Sequence, residues 1–273
     1  MTAPWTDPLR LDAYPSRRFL PRDPGEPASG LGVDPARVVV AESPGAALEL
    51  VLRTLLASGD RVATFEPCPD DHFRVPISCG ARVIDAGRDA SLHARMDGLL
   101  LVAASCAAVL VAEPGDPAPV TGDAAVILST LARLDAPRPW VIVDRRAGGL
   151  PDDSHAIQVL STAGDTPVGV VVAPAEVAAA LRRMRGPASA TLRDRVSTAA
   201  LLVPAPPPAM LELALGAQHV IGPACHAWLR VSGLPGREVA AMLEARGLTT
   251  EVHPTFKWRE GVKYTHISFF GEK

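Results

Sequence analysis

The sequence predicts an α/β fold: a doubly wound, mostly parallel sheet followed by a small C-terminal α+β subdomain. Three observations predict it. A β-branched run, a tight turn and an amphipathic helix succeed one another in Ala36–Leu56, ARVVVAESPGAALELVLRTLL. Short apolar runs then alternate with helical patterns as far as Arg185, as in a sheet covered by helices on both faces. From about residue 215 this alternation gives way to strands with a single helix between them. The expected organisation is an N-terminal arm over 1–35, a large domain over 36–208 and a small domain over 209–273.

Residues 1–35 are proline-rich and irregular, with Tyr14-Pro15-Ser16-Arg17-Arg18 in the middle. Such a segment runs over a surface, often that of a neighbouring subunit or the mouth of a site. Val38–Val40 reads as a short buried strand because it is β-branched and bounded by turn residues. Ser43 suits a helix N-cap and Pro44 a first helical position. The helix is expected from about Ala46, with Ala47, Leu48, Val51, Leu52 and Leu55 as its apolar stripe. Gly59-Asp60 turns the chain into a strand at Arg61–Phe65, and a loop follows over Glu66–His72. A helix then leads to Gly80, and Ala81–Asp85 is a strand. Ala107–Ala112 is the next strand, ending at Glu113; a helix covers about 122–134. Trp140–Asp144 and Val168–Val172 are strands, and Ala175–Arg185 is a helix. Beyond the proline cluster Pro204–Pro208, strands are expected at Ala227–Val231, Thr249–Val252 and Tyr264–Phe270. Gly236–Arg246 is a helix stopped by Gly247.

In sheets of this kind ligands bind beyond the strand C-termini, where Glu42, Glu66, Glu113 and Asp144 fall. Glu42 is the most informative of them. A strand-turn-helix aims backbone N–H groups and the positive end of a helix dipole at the crevice, a setting that welcomes an anion.

Composition narrows the classes of function. The net charge of −3 offers no polybasic surface for nucleic acid or an anionic membrane. The chain has three lysines, Lys257, Lys263 and Lys273, so arginine carries nearly all its positive charge. The longest mostly apolar run, Leu99–Ala112, falls short of the roughly 20 residues that span a bilayer. The opening MTAPWTDPLRLD has no basic segment followed by an apolar core, so no signal peptide is expected. Cys68, Cys79, Cys106 and Cys225 are scattered, as expected of reduced thiols in a cytoplasmic protein. No His/Cys/Asp set has zinc spacing, and no serine stands in a nucleophile elbow.

The order of these motifs resembles the fold-type I aminotransferases, the superfamily that includes histidinol-phosphate aminotransferase and alliinase. Val38–Glu49, Gly59–Arg82, Val111–Pro117, Val141–Asp144, Gly169–Arg185, Ala224–Arg230 and Tyr264–Phe270 carry the resemblance. It implies an aminotransferase-like large domain, an amino-acid substrate and a homodimer. It also implies pyridoxal phosphate on a lysine just before the strand matching Gly169–Val172, with Asp144 facing the pyridine ring. Here Thr162 stands where that lysine would be, within Leu160–Asp165. The arginine that would follow to bind phosphate is missing, Glu42 occupies the phosphate turn, and His266 replaces the arginine that grips a substrate carboxylate. Threonine supplies no amine for a Schiff base. The fold is therefore expected to persist without its cofactor.

A second resemblance concerns function. The bacterial Pictet–Spenglerases that build β-carbolines from tryptophan use a glutamate and an upstream arginine, and Glu42 and Arg17 are similar to that pair. The expectation is a PLP-independent condensation of tryptophan, or a close analogue, with an aldehyde. Glu42 and Arg17 are its catalytic pair, and a buried Glu42 carboxylate serves as acid and then base. Arg18, His72, Tyr264 and His266 are its substrate-binding candidates. Each has a plainer reading: Glu42 as a turn residue, Arg17 and Arg18 as a solvated basic pair, and His72 as a capping or core histidine. For Tyr264 and His266 the plainer reading is that of structural strand residues. Two other functions stay open, an unusual PLP-dependent aminotransferase or C–S lyase, and a non-catalytic pseudo-aminotransferase that partners another protein.

Overall fold

Runs of valine, isoleucine and alanine form strands buried on both faces, because helices cover each side of the sheet. The computed structural model describes residues 32–89, 91–115, 120–134, 138–146, 155–162, 166–189 and 191–192. In the C-terminal part it describes 220–221, 226–229, 238, 241, 244–245, 248–252, 256–257 and 263–272. The arm with Arg17 and Arg18, and the expected boundary at 208, lie outside the described residues.

The first sheet has seven strands: β1 (Val38–Ala41), β2 (Arg61–Thr64), β3 (Arg82–Asp85), β4 (Ala108–Ala112), β5 (Trp140–Arg145), β6 (Ile157–Ser161) and β7 (Gly169–Val172). Their spatial order is β1-β7-β6-β5-β4-β2-β3. Neighbours from β3 across to β6 pair in parallel, and β7 runs antiparallel to both β6 and β1. All strands but β7 therefore point the same way, and their C-terminal ends share one edge.

Among the described residues, five helices of seven residues or more cover the sheet: α1 (Pro44–Leu55), α2 (Asp71–Ser78), α3 (Met96–Val102), α4 (Asp123–Leu131) and α5 (Ala175–Arg185). One face packs Val39, Val62, Leu110, Ile142 and Val159 under α1, α5 and Val75 of α2. On the other face, Ala63, Val109, Val111, Val141 and Val143 pack under α3 and α4. Successive residues of one strand thus enter different cores, as the period of two requires.

α1 begins at Pro44, two residues before the expected start, because Ser43 Oγ accepts from Ala46 N at 3.2 Å and caps it. α2 begins at Asp71, so His72 lies in a helical first turn and not in the loop expected to end there. In the first sheet and its covering helices, two elements were not expected from the sequence. α3 lies partly inside the apolar run 99–112, where continuous hydrophobicity hides the helical period. β6 contains Gln158, a polar residue that interrupts the apolar pattern yet is fully buried.

The C-terminal strands are β8 (Val220–Ile221), β9 (His226–Leu229), β10 (Leu248–Val252), β11 (Phe256–Lys257) and β12 (Lys263–Glu272). They form an antiparallel sheet in the order β10-β12-β9-β8, with β11 also pairing to β12. Of the helix expected at 236–246, residues 238, 241 and 244 are described and are helical.

Candidate active site at the strand ends

Parallel pairing brings Glu66, Glu113, Asp144 and Thr162 to one edge of the sheet, and the two antiparallel pairings of β7 bring Glu42 to the same edge, each at or just past the C-terminal end of a strand. Their surroundings differ sharply. Glu42 is exposed, which corrects the expectation of a buried carboxylate. The cause is strand order: β1 is the outermost strand, so the residue past its end has a neighbouring strand on one side only. Glu66 is exposed as well, and its backbone N–H donates to Asp85 Oδ1 at 3.0 Å. Glu113 is buried and caps α4: Oε1 accepts from Gly122 N at 2.7 Å and Oε2 from Ala124 N at 3.2 Å.

The central strand carries the most elaborate group. Asp144 is 3% exposed and accepts on both oxygens. Oδ1 takes the backbone N–H of Arg146 at 3.0 Å and its Nε–H at 2.9 Å. Oδ2 takes Arg146 Nη2 at 2.8 Å and His72 Nε2 at 2.8 Å. Burial by itself would raise the Asp144 pKa. The hydrogen bonds and charges of His72 and Arg146 outweigh it and hold the carboxyl well below the usual carboxylate range. An ionised carboxylate only accepts, so His72 presents Nε2–H to it, which assigns that ring proton. His72 Nδ1 is buried and has no hydrogen-bond partner among the described residues.

Arg146 extends the network outward. Its Nη1 donates to Asp71 Oδ2 at 2.8 Å, and Asp71 Oδ1 accepts from Arg74 Nη2 at 2.6 Å. Burial would lower the Arg146 pKa, but Asp144 and Asp71 raise it above its ordinary value. Sequence reasoning named His72 and Asp144 but missed Arg146. The available signal was the spacing Asp144-Arg145-Arg146 at a strand end, where a backbone turn can fold the second arginine onto the carboxylate.

Thr162 follows β6 and is buried. Its Oγ1 accepts from Val168 N at 2.9 Å, and its own N–H donates to Val168 O at 3.0 Å, closing the connection into β7. There Gly169 pairs with both Ala41 and Ser161. A side chain on Gly169 would collide with the Ser43 carbonyl oxygen and come within 2.5 Å of Ala47 Cβ, so β1, β6, β7 and α1 meet at a backbone-only contact.

Arg17 and Arg18 lie outside the described residues. Tyr264 and His266 belong to β12, where their backbones pair with Phe256 and Trp228. Among the described residues no group of His, Cys, Asp and Glu could hold a metal ion. No described helix is long and apolar enough to cross a membrane. Burial pushes the Cys68 thiol up to about 12, against the smaller influence of Thr64, so it is not a ready nucleophile.

No family model and no curated protein matches the chain. Solved structures do match. An aminotransferase from Mycobacterium tuberculosis superposes with a TM-score of 0.63 at 18% identity, covering 88% of this chain and 73% of its own. A PLP-dependent aminotransferase from Streptococcus suis gives 0.64 at 17% identity, covering 91% and 78%. An aminotransferase from Staphylococcus aureus gives 0.61 at 15%, covering 86% and 73%. The fold is that of the aminotransferases.

The aminotransferase fold implies pyridoxal phosphate, and the strand-end residues do not fit it in the lysine-bound form. Thr162 uses its hydroxyl to close a loop. Two of the chain's three lysines lie on β11 and β12 and the third is the last residue, so none stands at a described end of the parallel strands. Asp144 already accepts from four donors, the number of lone-pair positions a carboxylate offers, which leaves none for a ring N–H.

Proposed function

We propose that this protein is an enzyme acting on an α-amino acid at the strand ends of its aminotransferase fold, without a lysine-bound cofactor. Thr162 supports this reading: by the resemblance it takes the place of the attaching lysine, and its buried hydroxyl accepts from Val168 N. Our specific form of the proposal is a Pictet–Spengler condensation of tryptophan, or a close analogue, with an aldehyde. The amine adds to the aldehyde and water leaves, giving an iminium ion. The indole carbon attacks the iminium carbon, and a base then removes the proton from the attacked ring.

Glu42 is our candidate for that base, and Arg17 for the group that holds the substrate carboxylate, by a bidentate pair. Arg18, Tyr264 and His266 remain proposed substrate contacts. We further propose a cytoplasmic homodimer. The supporting observation for Glu42 is its position at the end of β1, beside the first turn of α1, where Ser43 caps the helix.

A second reading has its own support. The structural neighbours are aminotransferases. In that reading the chain is a PLP-dependent aminotransferase or C–S lyase of unusual form, drawing its amine from Lys257 or Lys263. A non-catalytic partner protein is the third.

One set of experiments separates them. The purified protein is incubated with tryptophan and acetaldehyde, and carboline formation is followed by mass spectrometry. The expected result is turnover by wild type, loss of turnover in Glu42→Gln, and tryptophan affinity within about twofold of wild type by calorimetry. Full activity in Glu42→Gln overturns the role of Glu42. A yellow species that borohydride fixes onto a lysine establishes the second reading, and no reaction together with no amino-acid binding favours the third.

A further inference from the structure

The resemblance puts Thr162 in the place of the attaching lysine, but that alone does not prevent a pyridine cofactor from binding reversibly. A different part of the site does that. We infer that Arg146 is the resident cationic partner of Asp144 and closes the strand-end site to ligands bearing a protonated ring nitrogen.

The geometry is specific. Arg146 meets Asp144 side-on through Nε and Nη2, at 2.9 and 2.8 Å, the bidentate arrangement that matches guanidinium to carboxylate. Its backbone N–H adds a third bond to the same carboxylate, at 3.0 Å. The remaining lone pair faces His72 Nε2, which is fully buried on α2 and has no room to leave without moving that helix. A ring N–H therefore has to displace Arg146. That displacement is opposed from the far side, because Asp71 holds Nη1 at 2.8 Å and Arg74 in turn holds Asp71 at 2.6 Å.

Charge leads to the same conclusion. A carboxylate only 3% exposed already has Arg146, its side chain 16% exposed, as a cationic partner. A cationic ring at the same carboxylate would face the Arg146 guanidinium in a poorly solvated place, so the ligand and Arg146 compete for one position.

The test uses ligands that need no lysine. Pyridoxamine and pyridoxamine 5′-phosphate are titrated by calorimetry into wild type, Arg146→Met and the double variant Arg146→Met/Asp144→Asn. Methionine keeps an unbranched apolar stem and gives up the charge. Wild type is expected to show no saturable binding. Arg146→Met is expected to bind at least one of the two ligands roughly tenfold more tightly or better, and the double variant to lose that gain. Saturation of wild type at micromolar concentrations overturns the inference, whether or not the variants fold. So does a folded Arg146→Met protein, checked by circular dichroism, that binds neither ligand better than wild type. These outcomes are independent of the carboline assay, so this inference and the proposed reaction fail separately.

Discussion

Replacing Asp144 by asparagine is the perturbation whose size the structure sets most directly. The change is isosteric, so packing is kept and charge is lost. Four hydrogen bonds end on this carboxylate, three from Arg146 and one from His72. In Asp144→Asn one oxygen becomes an N–H₂ group that points at donors, while Arg146 keeps only Asp71 as a charged partner. Breaking a buried ion pair by removing one partner costs about 3–5 kcal/mol. Arg146 retains Asp71 and some solvent contact, so the lower end applies, about 3 kcal/mol. For a chain of this size that corresponds to a fall in Tm of roughly 6–12 °C.

The assay is urea unfolding at pH 7, repeated down the acid range. Asp144 has a folded pKa depressed below its unfolded value, so its contribution is complete above the ordinary carboxylate range, about pH 4, and is lost as pH falls toward the folded value. The gap between wild type and Asp144→Asn is therefore full at pH 7 and pH 5 and narrows below about pH 4. A loss under about 1 kcal/mol at neutral pH, or a gap that widens with acid, would refute the pairing described here.

Other outcomes follow from the same geometry. Gly169→Ala should destabilise the protein by at least about 3 kcal/mol, because the added methyl meets the Ser43 backbone carbonyl and only Ala47 can be trimmed to make room; denaturant unfolding of Gly169→Ala with and without Ala47→Gly measures how much is relieved. Glu113→Ala uncaps α4 and should cost about 1–2 kcal/mol, with the first amides of α4 losing hydrogen-exchange protection before the rest of the helix. Cys68 should react with iodoacetamide far more slowly than a free thiol at pH 8, since burial keeps it protonated up to about 12; peptide mapping after alkylation reads this directly.

Much of this site was legible along the chain. The alternation of apolar runs placed every strand of the first sheet but β6, and the turn residues placed the carboxylates at strand ends. His72 and Asp144 were both recognised, but their contact was not: they are 72 residues apart in sequence and meet only because α2 lies beside the end of β5. Arg146 was passed over despite its spacing from Asp144, because an arginine after a strand ordinarily points to solvent. Glu42 drew attention for its local setting, a capped helix start after a strand, and that setting is present. Its burial was misjudged, because burial depends on which strands stand on either side.

The sequence alone determined the period, the length and the caps of the elements, since these follow from contacts between residues a few positions apart. It also determined which chemical groups were available, including the absence of lysine from the large sheet. Only the tertiary structure decided that β1 lies at an edge, that β7 runs backwards between β1 and β6, and that Arg146 closes on Asp144. Those depend on strand order and on long-range pairing, where the energy lies in burying charge between elements that no local pattern connects.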